Sequence, residues 1–439
     1  MKLHKIFVLL LSAALLLSGC MMRTVEEMYT PPKRSEDDRY LQSAIDSAMT
    51  GLAYAAPLSG ENQQTVQSAD LDGDGVEEFL LFARSDSDKP MKVLIFRQEG
   101  EIFRLSETIE SQGSAFEQVE YVDFDNRPGL ELVVGRKLSD QVPRSVSVYS
   151  FATGQAEQLM AANYSKFLTC DLDSNGNTEL MVIHPDESDS AGGMAVLYGF
   201  RDGIVERSRE VALSCRVDAV RRIMVSNLRN WIPAVYVASS PDESIMITDI
   251  LAMKDGVFTN VSFSNESGTS VQTLRNYYVY ADDIDHDGIL ELPSLITMRP
   301  VMENRTGERQ YLIRWFAMDL MGGEEDKLHT FHNFMDGWYL ELSPDWANRL
   351  SVSQNGNAYS FYIWDEGAEN ADQVFTVYAL TGADRESLAL ENNRFVLHRT
   401  EGVVYAARLE AVSSAYGIDQ DDLLNSFHLI RRDWNTGET

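Results

Sequence analysis

Residues 70–82 read Asp70-Leu-Asp-Gly-Asp-Gly-Val-Glu-Glu-Phe-Leu-Leu-Phe82. Acids alternate with small or apolar residues, and an unbroken apolar run follows. Alternate residues of a tight loop aim their oxygens at one point, and glycine at the sixth position permits the sharp turn. The run after the loop is short and apolar, as a buried strand is. Three more segments align with it without gaps: 123–131, 171–179 and 283–291. Each begins with Asp, has Asp at position 3 and Glu at position 9, and leads into a strand-like run at Leu132–Val134, Leu180–Ile183 or Leu292–Ile296. The starts lie 53, 48 and 112 residues apart, and 112 is twice 56, so a copy is missing near 227. There the chain reads Asn227-Leu-Arg-Asn-Trp-Ile-Pro-Ala-Val235 and then Tyr236-Val237. The strand survives and the carboxylates do not.

This spacing is that of a calcium loop, since Ca²⁺ takes six to eight oxygens. Positions 1, 3 and 5 offer side chains, position 7 a main-chain carbonyl and position 9 a further carboxylate. The first copy supplies Asp70, Asp72, Asp74, Val76 and Glu78, and the fourth Asp283, Asp285, Asp287, Ile289 and Glu291. The third, with Asp171, Asp173, Asn175, Asn177 and Glu179, exchanges one carboxylate for a neutral oxygen and is expected to bind more weakly. In the second, Arg127 stands where the third ligand belongs. Its guanidinium is expected to neutralise Asp123, Asp125 and Glu131 in place of an ion. An EF-hand is excluded, because it needs a bidentate Glu at position 12, where this chain has Leu81, Val134, Val182 and Ser294. The expected complement is two to three structural calcium ions.

These segments, the first above all, resemble the FG-GAP/VCBS repeats of integrin-α-like β-propellers, in which a DxDxDGxxD/E calcium loop joins two strands of each blade. Here Glu occupies position 9, where many members of that family have Asp. The resemblance covers about 70–296 and implies an all-β propeller. Repeat-like sequence over 57–415 at the observed spacing predicts about seven blades, within a range of six to eight. Strand-like runs continue at Gln310–Met318, Trp338–Leu342, Leu350–Ser353, Ala358–Trp364, Val374–Leu380 and in a hairpin over Arg394–Leu409. Residues 300–415 are therefore either divergent blades or a separate β-domain. Short helices are expected at both ends. One lies within 35–56, capped by Ser35 with Leu41, Ile45, Met49 and Leu52 on one face. The other, within 416–439, is capped by Asp419 and carries Leu423, Leu424, Phe427 and Ile430.

The N-terminus reads as an address. Lys2 and Lys5 precede an apolar run from Phe7 to Leu17, too short to span a bilayer and suited to a signal peptide. Leu17-Ser18-Gly19-Cys20 resembles the bacterial lipobox, which implies lipidation of Cys20 after removal of 1–19. Residues 20–34, with Pro31-Pro32, form the tether. The chain is thus expected on a bacterial cell membrane, held by lipid and facing outside the cytoplasm. Cys170 and Cys215 either pair there or remain buried thiols.

Composition narrows the function. With 37 Lys+Arg against 68 Asp+Glu the net charge is −31, which excludes a nucleic-acid binder working through a basic surface. No GxSxG, HExxH, CxxC or P-loop occurs. His329 and His332 lack a third ligand nearby and read as ordinary surface. All six tryptophans follow residue 230, and Trp338, Tyr339, Trp346, Tyr359, Tyr362 and Trp364 form a dense group. That group reads as blade-interface core rather than as a sugar platform. The sequence points to a non-catalytic module that binds a protein or glycan. The alternatives are an enzyme acting on extracellular polysaccharide and a component of cell-envelope assembly or stress sensing.

Overall fold

The computed structural model describes residues 36–139, 144–186, 192–201, 204–242, 244–277, 279–301, 310–346 and 348–431. The expected signal peptide, Cys20, the tether and Ser35 lie outside them, as does Trp434. The chain is all-β and forms two compact units. Among the described residues there are six antiparallel sheets of four or five strands. No helix among them is long and apolar enough to cross a membrane.

The first unit holds helix α1 (Glu36–Ala48) and the first sheet, whose strands are Ala53–Tyr54, Val66–Ala69, Glu78–Arg84, Met91–Glu99 and Ile102–Ser111. The helix forms because Leu41 and Ile45 stand one turn apart. They pack, with Met49 and Leu52 beyond its end, on Leu81, Ala83, Leu94 and Phe96 of that sheet.

The second unit holds the other five sheets. The second runs through Ala115–Val122, Glu131–Lys137, Arg144–Ser150 and Glu157–Tyr164, and the third through Lys166–Cys170, Glu179–His184, Met194–Arg201 and Ile204–Arg207. The fourth comprises Val220–Leu228, Ile232–Asp242, Ile245–Lys254 and Val257–Asn260. The second and fourth are simple meanders, the third adds a short strand, Val211–Ala212, that pairs back on Met194–Arg201, and each packs its face on the next in chain order. Successive strand residues point to opposite faces, which explains the unbroken apolar runs. Leu180 and Val182 enter a core shared with Val133 and Val148 of the second sheet. Met181 and Ile183 enter another, with Val235 and Leu251 of the fourth. Serial meanders stacked in this way are the blades of a β-propeller.

Six sheets fall within the expected range and below its central figure of seven. The fourth copy's strand, Leu292–Thr297, is followed by Tyr311–Met318, Glu324–Asn333 and Trp338–Leu342 in one fifth sheet. The sixth sheet takes Leu350–Asn355, Ala358–Ile363, Asp372–Leu380, Phe395–Arg399 and Val404–Leu409. It shares one core with the fifth, in which Phe331, Trp338 and Leu340 meet Val352, Phe361 and Val377.

Two expectations are corrected here. The C-terminal helix stops early. Asp419 caps Gln420–Ser426, accepting from the Asp422 N–H at 3.0 Å, but Phe427–Leu429 is a strand added to the fifth sheet, with Phe427 opposite Leu340. Sheet pairing and the apolar Phe427 side chain, stacked 5.7 Å from Trp338, override the helical spacing. His329 and His332 are not surface residues. Both are buried on Glu324–Asn333, and His332 lies among Trp315, Phe334 and Tyr339. Cys170 and Cys215 are free and buried, and burial pushes their thiols up to about 12 and about 11.

Candidate metal centres

Each aligned segment forms the turn between two antiparallel strands or bridged residues. The same hydrogen bonds recur because the same residue types recur. The position 1 carboxylate folds back on the loop: Asp70 accepts from the Gly73 and Gly75 N–H groups at 2.8 and 3.0 Å, Asp171 from Gly176 at 3.0 Å, and Asp283 from Gly288 at 3.1 Å. The position 3 carboxylate caps the N–H of position 5, as Asp125 does for Arg127 (3.0 Å), Asp173 for Asn175 (3.1 Å) and Asp285 for Asp287 (3.2 Å). Such turns are ordinary Asx chemistry. Position 4 is left-handed in all four loops, with φ of 74° at Gly73, 57° at Asn126, 57° at Ser174 and 61° at His286. The sequence pointed only to the glycine at position 6.

In the second, third and fourth copies the acids of positions 1, 3 and 9 converge. Asp123, Asp125 and Glu131 each bring an oxygen within 4.8 Å of the others, as do Asp171, Asp173 and Glu179, and Asp283, Asp285 and Glu291. The first copy straddles the unit boundary, so Asp70, Asp72 and Asp74 belong to the second unit and Glu78 to the first. Within the first unit Glu78 is buried, with Arg97 3.6 Å away. Glutamate at position 9 does more than reach the loop. Its Oε2 accepts the main-chain N–H of position 2, from Phe124 to Glu131 at 2.9 Å, from Leu172 to Glu179 at 2.7 Å, and from Ile284 to Glu291 at 3.1 Å.

These glutamates are buried beside like charges, which disfavours their ionised form. Burial first, then the neighbouring aspartates, pushes Glu179 up to about 7 and Glu291 up to about 8. Glu131 is raised for the same reasons. In the fourth copy Glu291 is fully buried, and among the described residues its Oε1 and the Oδ1 of Asp283 are buried without a hydrogen-bond partner. In the third the same is true of Asn177 Oδ1. Unpaired buried oxygens beside converging carboxylates fit a hard cation, which would supply the missing partner.

The second copy differs less than its sequence suggested. Arg127 reaches Asp125 at 3.6 Å, while its guanidinium lies 5.7 Å from the ring of Phe200. Its three carboxylates converge nonetheless. The fourth copy carries a cation that the sequence did not disclose. Lys327, forty residues on in the fifth sheet, reaches Asp287 at 2.7 Å and Asp285 at 3.9 Å. A hollow of about 340 Å³ flanks the third loop, and Asp173, Asn177, Arg201 and Arg207 are among its lining residues.

The loops are also linked to one another. The N–H of position 8 in one copy donates to the position 1 carbonyl of the copy before it. Leu130 donates to Asp70 at 3.0 Å, Thr178 to Asp123 at 2.9 Å, and Leu290 to Asn227 at 3.1 Å. The third of these bonds places Asn227 in the register of a position 1 residue, where the repeat spacing had located the missing copy.

No protein-family model matches the chain, and no curated protein matches it. Solved structures similar to it include the exotype rhamnogalacturonan lyase YesX, at 14% identity and TM-score 0.32 over 75% of this chain and 67% of that one. A protein from Lactobacillus plantarum matches at 12% identity and TM-score 0.28, over 73% and 86%. TolB from Acinetobacter baumannii matches at 11% and 0.24, over 78% and 72%. Likenesses this slight bring no activity, substrate or partner to this chain.

Proposed function

We propose that this protein is a calcium-stabilised β-propeller of the FG-GAP/VCBS type, tethered to a bacterial membrane through Cys20, and that it serves as a non-catalytic module binding a protein or glycan outside the cytoplasm. The observation that carries the calcium reading is Glu291. A fully buried carboxyl with an unpaired oxygen, gathered with Asp283 and Asp285, is costly unless a cation completes it. All the donors are oxygens, with neither nitrogen nor sulfur among them, which suits Ca²⁺ rather than zinc or copper. The fourth loop would hold one ion, and the sequence repeat extends the same reading to the first. The third loop, with Asn175 and Asn177, would hold a weaker third. When bound, the ion neutralises the loop, while the chain's own residues supply the turn and the buried acceptor at position 9. Lipid anchoring rests on the Leu17–Cys20 motif, and the binding role on the lack of a catalytic signature in the sequence.

The test is elemental analysis of the purified protein together with melting curves in EDTA and in calcium. Bound calcium, and a melting temperature that chelation lowers and calcium restores, are expected. An unchanged curve with no calcium present would refute the reading. Cys20→Ala should release the protein from membranes. A glycan array run beside a polysaccharide-degradation screen separates binder from enzyme, and turnover of any glycan would overturn the non-catalytic role.

A further inference from the structure

The copy at 227–237 has lost its carboxylates, yet its residues close around the fourth loop. The Asn227 side-chain amide donates to the Gly288 carbonyl at 3.0 Å, and the Asn227 carbonyl accepts from the Leu290 N–H at 3.1 Å. The Tyr236 hydroxyl, from the adjoining strand, donates to that same carbonyl at 3.0 Å. Trp231 lies directly over position 6 of the fourth loop, where a methyl group added to Gly288 would sit 2.8 Å from the indole ring. Trp231 and Asn230 both have left-handed backbones, with φ of 58° and 64°. That conformation is strained for a bulky aromatic residue, and strain of this kind persists where the surroundings enforce it. The strain does not serve burial, because the side chain remains 64% exposed. What Trp231 does is cover the turn that holds Asp283, Asp285, Asp287 and Glu291.

We infer that Asn227 and Trp231 are positioning residues for the fourth loop, so that the repeat without a metal site sets the divalent-cation affinity of its neighbour. The inference rests on the calcium reading of that loop. Asn227 fixes the main chain on both sides of position 7, whose carbonyl is an expected ligand, and Trp231 limits the motion of the glycine beside it. Groups that orient ligands in this way typically govern metal affinity by about 10- to 100-fold.

The experiment uses terbium as the probe, on the full chain, with calcium in competition: affinity is read by direct excitation of terbium, and the nearness of the indole by emission on excitation of tryptophan. The signal lost in Glu291→Gln belongs to the fourth loop. Trp231→Ala and Asn227→Ala are each expected to weaken calcium competition at that site by about 10-fold. Trp231→Phe should restore the affinity that Trp231→Ala loses while abolishing the tryptophan-sensitised emission, so that the rescue reports the ring's hold on the loop and the emission its nearness to the ion. Should Trp231→Ala fail to fold, Asn227→Ala and the Trp231→Phe emission still decide. Wild-type affinity in Trp231→Ala and Asn227→Ala, or full emission from Trp231→Phe, would overturn the inference and leave calcium at the loop intact. A titration unchanged by Glu291→Gln would overturn both.

Discussion

Replacing Glu291 by glutamine should have opposite effects with and without calcium. Without metal, Glu291 is a fully buried carboxyl raised to about 8 by burial and by Asp285. The folded state therefore holds a proton that the unfolded chain, with an ordinary glutamate near 4.5, releases. Between these two values the native protein binds more protons than the unfolded one, so this group's contribution to stability falls as pH rises. Because pH 7 lies above the unfolded value and below the folded one, keeping this group protonated costs roughly 3 kcal/mol there, at about 1.4 kcal/mol for each tenfold change in proton concentration. Glutamine retains an oxygen to accept the Ile284 N–H and carries no charge. In EDTA at pH 7, Glu291→Gln should therefore stabilise the protein by about 1–3 kcal/mol and flatten the pH dependence between about 5 and 8. In calcium the ion supports the ionised carboxylate, and the substitution removes a ligand. A site with a dissociation constant of about 10⁻⁴–10⁻³ M contributes roughly 1.4–2.7 kcal/mol at about 10 mM calcium, and most of that should be lost. Urea unfolding of both proteins in the two buffers, repeated across that pH range, measures the crossover. Equal destabilisation in EDTA and in calcium would show that Glu291 acts only as a hydrogen-bond acceptor and would refute the reasoning.

Other outcomes follow from the packing. A methyl group at Gly135 would meet Phe167 at 2.6 Å and the Tyr164 hydroxyl at 2.8 Å, so Gly135→Ala should cost about 1–3 kcal/mol in urea unfolding. Trp338, fully buried among Phe331, Tyr359 and Phe427, should cost about 3–5 kcal/mol when replaced by Ala, read as a lower urea midpoint at unchanged slope. Burial lowers His332 to about 3, so the unfolded chain binds the extra proton and stability is lost as pH falls from about 6.5 toward 3. His332→Gln should weaken that slope, measured as melting temperature against pH. Cys170 and Cys215, buried and with raised thiol values, should resist alkylation until the chain unfolds, as mass spectrometry after iodoacetamide treatment would reveal.

Much of this fold was legible because its information is local. The Asp-x-Asp turns and their glycines are conformational requirements of nine consecutive residues, and the apolar runs after them follow from strands covered on both faces. Even the degenerate copy at 227 was placed by spacing alone, and the bond from Leu290 to Asn227 lies in that register. The strand Glu324–Asn333 was not legible. Its first four residues are charged and its two histidines interrupt the apolar pattern, yet pairing on both sides and the burial of Phe331 make it a central strand. Phe427 misled for the opposite reason, since helical spacing continues through a residue that the fifth sheet captures.

By itself the sequence determined the four acidic loops, the strand that follows each, and the all-β class, because turn chemistry and alternation act between near neighbours. Only the tertiary structure decided what surrounds the carboxylates. Lys327 reaches the fourth loop from another strand, Trp231 lies over it from the preceding repeat, and Glu291 is fully buried with one of its two oxygens lacking a partner among the described residues. Burial and charge proximity are properties of residues distant in sequence, and they turn an acidic turn into a candidate metal centre.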